Sequence, residues 1–183
     1  MKFIFPKKVF GWLDEREGKK LFELARLDSN LGVAVEIGSY EGKSAICLAQ
    51  GNKLVSKEKV YSVDNFVGDP YVGRNPKMLQ NFLKNIKEAG FEKHIEAIKA
   101  DSPQAAKNFN KPIRLLFIDA SHDYGSVKKD FLAWFPHVAS GGFVAFHDTT
   151  SFEGVRRFTE ELKEADKLVY LETVASIAIF KKK

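Results

Sequence analysis

Three observations predict an α/β fold built on a doubly wound, mostly parallel sheet. Seven short windows of apolar, β-branched or aromatic residues are spread along the chain, the stretches between the first six carry helical periodicity, and only two residues separate the sixth window from the seventh. Strands that alternate with helices imply right-handed crossovers and a sheet covered on both faces. A two-residue link is too short for a crossover, so the last strand is expected to return antiparallel, as a hairpin.

The predicted strands are Val33–Ile37, Val60–Val63, Ile95–Ile98, Leu115–Ile118, Phe143–Phe146, Leu168–Leu171 and Val174–Phe180, with Glu172-Thr173 as the hairpin turn. Each has strand length. Ahead of the first lies an aromatic, basic segment (Phe3, Phe5, Phe10, Trp12) and then a helix carrying Leu21, Leu24, Ala25 and Asp28. A second helix begins near Lys43. The clearest helical pattern opens with Asn75-Pro76 as cap and first position, runs through Leu79, Phe82, Leu83 and Ile86, and stops at Gly90. Another carries Val127, Phe131, Trp134 and Phe135 and ends at Pro136. The last opens on Thr150-x-x-Glu153, read as a capping box, with Val155, Phe158 and Leu162 on one face.

The 183 residues leave room for one domain, expected over 1–183, with 1–30 as an N-terminal extension that could cover a substrate. A 44% hydrophobic content with 16 Phe and 2 Trp is ample for a core and excludes global disorder. The net charge of +5 is spread along the chain apart from Lys7-Lys8 and Lys181-Lys182-Lys183, so it permits nucleic-acid binding without predicting it. Cys47 is the one cysteine and lies in a helical stretch, where it is expected in the core. No leader pattern and no apolar run near the ~18 residues of a membrane span occurs, so a cytoplasmic location is expected.

In an open parallel sheet, ligands bind beyond the carboxyl ends of the strands. Those ends are polar here. The first runs Glu36-Ile37-Gly38-Ser39-Tyr40-Glu41-Gly42-Lys43-Ser44, a glycine-bracketed turn into a helix whose free N–H groups suit an anion. The second ends at Asp64-Asn65, the third at Asp101-Ser102, the fourth at Asp119 and the fifth at His147-Asp148. A dinucleotide fingerprint fails because Tyr40 stands where its middle glycine belongs. A phosphate-binding NTPase loop is one residue short in Gly38 to Ser44, and Glu36 and Glu41 would set negative charge beside a polyphosphate, though Asp119 could pass for its magnesium ligand. The third reading is a nucleoside with a zwitterionic tail, S-adenosylmethionine.

At these residues the chain resembles the class I S-adenosylmethionine-dependent methyltransferases, and most closely the catechol-type O-methyltransferases. Their pattern Glu-x-Gly-x-Tyr-x-Gly-x-Ser is matched by Glu36, Gly38, Tyr40, Gly42 and Ser44. The stretch Asp119-Ala120-Ser121-His122-Asp123-Tyr124, with Gly141-Gly142 and His147-Asp148, is similar to a bacterial branch of the same superfamily. The resemblance implies a seven-stranded sheet with only its last strand antiparallel. It implies that Gly38, Ser39 and Gly42 pass the loop under the cofactor and that Tyr40 and Ser44 meet its methionine carboxylate. Asp64 and Asn65 would sit at the ribose, Asp101 and Ser102 at the adenine. Glu36 belongs to the same set, either at the cofactor or securing the loop. Asp64 and Asp101 have a second reading, as caps of the loop or helix that follows.

The resemblance also implies a divalent metal held by Asp119, His147 and Asp148. A histidine among the ligands moves the preference from magnesium toward manganese, iron or zinc. In the metal-free reading Asp119 orients the cofactor's ammonium and His147 and Asp148 brace loops. His122 takes the spacing of the family's catalytic lysine and could serve as general base, or brace a loop. The implied reaction is methyl transfer to a hydroxyl of a small molecule. Acceptor contacts would come from residues 1–16 and the loop 65–74, with Phe10, Trp12, Phe66, Tyr71 and Arg74 as candidates. A nucleic-acid acceptor is not expected, a homodimer is compatible, and the alternatives are an NTPase or nucleotide kinase and a non-catalytic cofactor-binding protein.

Overall fold

The computed structural model describes residues 2–68 and 73–183, so the candidate Tyr71 lies outside the described residues. Seven strands form one sheet in the order β3-β2-β1-β4-β5-β7-β6. They are β1 (Val33–Ile37), β2 (Val60–Asp64), β3 (Ile95–Lys99), β4 (Ile113–Ile118), β5 (Val138–Phe146), β6 (Leu168–Val174) and β7 (Ile177–Lys182). The helices are α1 (Glu15–Leu24), α2 (Lys43–Asn52), α3 (Met78–Glu88), α4 (Ser102–Asn108), α5 (Tyr124–Trp134) and α6 (Glu153–Lys163). As the hairpin argument requires, β7 is antiparallel to both of its neighbours.

Strand alternation sorts the buried side chains into two cores. Ala34, Val60, Leu115, Phe117 and Ala145 pack with α1, α2 and α3. Val35, Val63, Leu116, Ile118 and Val144 pack with α4, α5 and α6 on the other face. The chain leaves β1 for β2 and β3 on one side and crosses to β4 on the other. A crevice therefore opens beyond the carboxyl ends of β1 and β4, where the two crossovers diverge.

Several local expectations are corrected. The hairpin turns at Ala175-Ser176, three residues later than expected, with Ala175 at φ 52. Gly141-Gly142 lie inside β5, which starts at Val138, and the β4–β5 register slips there. Asn75-Pro76 form a turn ahead of α3, with the Asn75 side chain accepting from the Lys77 N–H, and Lys77 is the N-cap. The Thr150 capping box does not form, because the N-cap position of α6 is Phe152 and the Ser151 and Phe152 N–H groups turn back to donate to the Asp148 carbonyl. Asp28 lies past the end of α1 in the left-handed region at φ 44.

One buried charge escaped the strand patterns. Arg114 in β4 is 1% exposed and donates to the Ala25 and Leu27 carbonyls and to Asn52, tying the end of α1 and the end of α2 to the sheet.

Candidate active site

A single cavity of about 1330 Å³ lies beyond the carboxyl ends of β1 to β5. It exceeds the roughly 300–1,000 Å³ of an ordinary small-molecule site, leaving room for two molecules side by side. Gly38, Ser39, Tyr40, Ser44, Asp64, Asn65, Asp101, Ser102, Asp119, His122, His147 and Asp148 all line it. Glu36 and Gly42 do not.

The turn after β1 is held from three sides. Gly38 has φ 85, and a Cβ there would fall 2.2 Å from the Asp119 carbonyl oxygen, so only glycine lets the β1 and β4 ends approach this closely. Asp64 accepts from the backbone N–H groups of Ser39 (2.8 Å) and Tyr40 (3.0 Å) with one oxygen and from Phe66 (2.6 Å) with the other. The second reading of Asp64, as a loop cap, is thus realised, while the residue still lines the cavity. From α3, Asn81 donates to the Glu41 carboxylate and Asn85 to the Glu41 carbonyl. Tyr40 occupies the left-handed region at φ 46, a strained conformation for a side chain of its size. Gly42, at φ 93, faces Phe82 of α3, where a Cβ would sit 3.1 Å from the ring.

Glu36 is fully buried on the α2 side of β1 and accepts from the Ser62 hydroxyl at 2.8 Å. Burial pushes its carboxyl up to about 7, against the opposing pull of the Ser44, Ser62 and Ser39 hydroxyls. It supports the turn from beneath. Asn65 turns its side-chain oxygen to the Val67 N–H. Asp101 is the N-cap of α4, yet its side chain makes no cap bond and is exposed at the cavity wall. Ser102 accepts from the Trp134 indole at 3.0 Å.

The opposite wall carries the acids and imidazoles. His122 follows β4 on the loop that Asp123 ties into α5 by capping the Ser126 N–H. Its Nε2 lies 3.1 Å from Asp148 Oδ2, and its ring stacks on Phe152 with centroids 4.0 Å apart. Gly154 at the start of α6 presses on this loop, since a Cβ there would come within 2.5 Å of the His122 carbonyl oxygen. Asp148 is strained at φ 62, which turns its carboxylate back over both histidines.

His147 sits among three carboxylates. It is buried, with Nδ1 3.1 Å from Asp119 and 3.2 Å from Asp148, and Nε2 3.1 Å from Glu17. A carboxylate faces each ring nitrogen, so both nitrogens carry protons; burial opposes the charge, but Asp119, Asp148 and Glu17 together raise its pKa far above the ordinary 6.5. The donor atoms that converge are those of Asp119, His122 and Asp148, all within 4.8 Å of one another. Asp148 is held low by His122 and His147 in spite of burial. Asp119 is raised by burial, which His147 only partly offsets.

Sequence reasoning missed Glu17, although Asp14-x-x-Glu17 is a capping-box pattern and the box does form at the start of α1. Of the acceptor candidates, Phe10 and Trp12 are exposed at the cavity mouth and form an aromatic triangle with Tyr40, with centroids 5.4 to 6.0 Å apart. Phe66 is instead buried against Phe82, and Arg74 is exposed and outside the cavity lining. Lys43, on which the NTPase alternative depends, gives its ammonium to the Gly11 carbonyl at 2.7 Å and lies over the Phe5 ring.

A family model described as a methyltransferase domain matches residues 35–149, from β1 to just past Asp148. The chain belongs to this methyltransferase-domain family. The chain is 29% identical over 119 residues to the uncharacterized protein R132 of Acanthamoeba polyphaga mimivirus, covering 62% of the chain. The chain spans about half, 50%, of that relative's length. Its fold is shared by an O-methyltransferase from Bacillus cereus in complex with SAH (TM-score 0.69, 23% identity, 93% of this chain and 83% of that one). It is shared too by the O-methyltransferase TomG from Streptomyces achromogenes in complex with SAM (TM-score 0.71, 18% identity, 93% and 81%). No helix among the described residues is long and apolar enough to cross a membrane.

Proposed function

We propose that the protein transfers a methyl group from S-adenosylmethionine to a hydroxyl of a small molecule. One observation carries this reading: the cofactor-side residues Gly38, Tyr40, Asp64 and Asp101 and the acid–imidazole residues Asp119, His122 and Asp148 line the same cavity. The cofactor fits what is there. The first turn of α2 has a glycine N-cap with no side chain to occupy its N–H groups, which suits the methionine carboxylate with Tyr40 and Ser44 beside it. Asp64 and Asn65 stand for the ribose, and the uncapped carboxylate of Asp101, with Ser102, for the adenine.

When bound, S-adenosylmethionine supplies an electrophilic methyl on a sulfonium. The chain's own residues orient the acceptor and take its proton. His122 is the base: Asp148 at 3.1 Å orients the ring and stabilises the imidazolium that forms, and Phe152 fixes its plane. Asp119, raised by burial, lies on the same wall to receive an acceptor hydroxyl or the cofactor's ammonium. Phe10, Trp12 and Tyr40 give an aromatic rim that stacks on the acceptor and excludes water.

A second reading rests on the convergence of Asp119, His122 and Asp148. Two carboxylates and an imidazole suit manganese, iron or zinc better than magnesium, and a cation held there would lower the pKa of the acceptor hydroxyl in place of a base.

Thermal-shift measurements with S-adenosylmethionine, S-adenosylhomocysteine and ATP test the cofactor, and stabilisation by ATP alone would sink the proposal. Transfer of labelled methyl to a panel of hydroxylated small molecules tests the reaction. Loss of transfer in His122→Ala and Asp119→Ala, with S-adenosylhomocysteine binding retained in His122→Ala, is the expected result. Manganese dependence of that transfer would favour the second reading.

A further inference from the structure

Glu17 belongs to the N-terminal extension, outside the residues 35–149 that match the family model, yet it reaches the centre of the acid–imidazole cluster. It is 4% exposed. A glutamate that only closes a capping box sits at a helix surface and uses one oxygen for one N–H. Here Oε2 accepts from the Asp14 N–H at 2.9 Å and faces His147 Nε2 at 3.1 Å, while Oε1 accepts from the Ser176 N–H at 3.0 Å and hydroxyl at 2.6 Å. Four donors from the start of α1, the end of β5 and the β6–β7 turn meet on one carboxylate, which is what a buried charge requires.

We propose that Glu17 is a positioning residue that fixes the His147 ring so that Nδ1 stays aimed at Asp119 and Asp148, holding both carboxylates toward His122. Without the acceptor at Nε2 the imidazole can turn about its bond to the chain, and the two neighbouring carboxylates lose the shared donor that keeps them 3.1 and 3.2 Å from one nitrogen. The N-terminal extension then does more than cover an acceptor: docking of α1 completes the site.

The test compares Glu17→Ala with Asp14→Ala in the full chain. Each removes one half of the same capping box, but only the first removes the partner of His147. The readout is the pair of His147 ring N–H resonances in protein labelled with nitrogen-15 histidine, without cofactor or acceptor. Wild type and Asp14→Ala are expected to show both ring protons in slow exchange; Glu17→Ala loses the Nε2–H signal and broadens the Nδ1–H signal. If Glu17→Ala does not fold, Glu17→Gln is read in the same way, since an amide cannot accept from all four donors. Persistence of both signals in the Glu17 variant, or the same loss in Asp14→Ala, overturns the proposal.

The functional consequence rests on the methyl-transfer reading. For any panel acceptor that wild type methylates, Glu17→Ala is expected to lower kcat about 10- to 100-fold at nearly unchanged KM, the usual effect of removing a group that orients a reacting residue. An unchanged kcat refutes that consequence. Because the resonances are read without ligands, failure of wild type to bind S-adenosylhomocysteine would overturn the methyl-transfer reading and leave the Glu17–His147 result to stand separately.

Discussion

Glu36 makes stability depend on pH in a way that one substitution isolates. Its carboxyl is raised from the ordinary 4.5 to about 7, first by burial and then by the nearby charge of Asp119, while three serine hydroxyls pull the other way. Between pH 4.5 and 7 the folded state therefore binds more protons at this site than the unfolded chain, and folding stability falls as pH rises through that window. The shift of roughly 2.5 units at 1.36 kcal/mol each sets the size of the effect at about 3 kcal/mol, fully present as a benefit below pH 4.5 and lost above pH 7. Glu36→Gln removes the titration and keeps the shape. Urea denaturation of both proteins from pH 4.5 to 8.5 should give curves that diverge, the variant gaining on wild type by about 3 kcal/mol across the window. Parallel curves would mean that the serine hydroxyls compensate the charge in full, and the argument from burial would be wrong.

Three further outcomes follow from the geometry. Gly38→Ala should destabilise by about 3 kcal/mol or more, because a Cβ 2.2 Å from the Asp119 carbonyl oxygen adds a clash to a positive φ; thermal unfolding measures it, together with weakened S-adenosylhomocysteine binding in calorimetry. Arg114→Ala strands the Ala25 and Leu27 carbonyls and the Asn52 side chain without their shared donor, and a loss of about 3 to 5 kcal/mol in urea denaturation is expected. Trp12→Ala, at a residue 63% exposed, should change stability by less than about 0.5 kcal/mol while raising KM for the acceptor, as steady-state kinetics on a panel substrate would show.

What the sequence reveals well is periodic. Val33–Ile37 and Ile95–Ile98 are found as short apolar windows of strand length, and Phe82 and Ile86 of α3 by helical spacing, because burial in a sheet or on one helix face selects such runs. Polarity misleads where exposure mimics a turn. Glu172-Thr173 look like a loop, but β6 is the outer strand of the sheet, so polar side chains stand on an exposed strand and the real turn comes at Ala175-Ser176. Local motifs also fail where the chain has another use for the same residues: Thr150 cannot cap α6 while the segment after Asp148 is folding back onto the Asp148 carbonyl.

The acid–imidazole cluster shows why adjacency in sequence does not assign a role. His147 and Asp148 are neighbours, and read together they resemble a pair of metal ligands. Phe146 packs on the α5–α6 face, so strand alternation sends His147 to the opposite face, beside Phe117 and toward α1, where the Glu17 carboxylate of the N-terminal extension meets its second nitrogen. Asp148 then leaves the strand at φ 62 and swings its carboxylate back across the strand end, where it meets His122 on one side and His147 on the other. One residue is buried among three carboxylates and the next sets its own carboxylate between two imidazoles at the cavity. The deciding partner, Glu17, is 130 positions away in the chain, and no spacing rule connects them. On the methyl-transfer reading proposed above, the residues that face an acceptor are Asp119, His122 and Asp148, and the imidazole that takes its proton is the one on the β4–α5 loop.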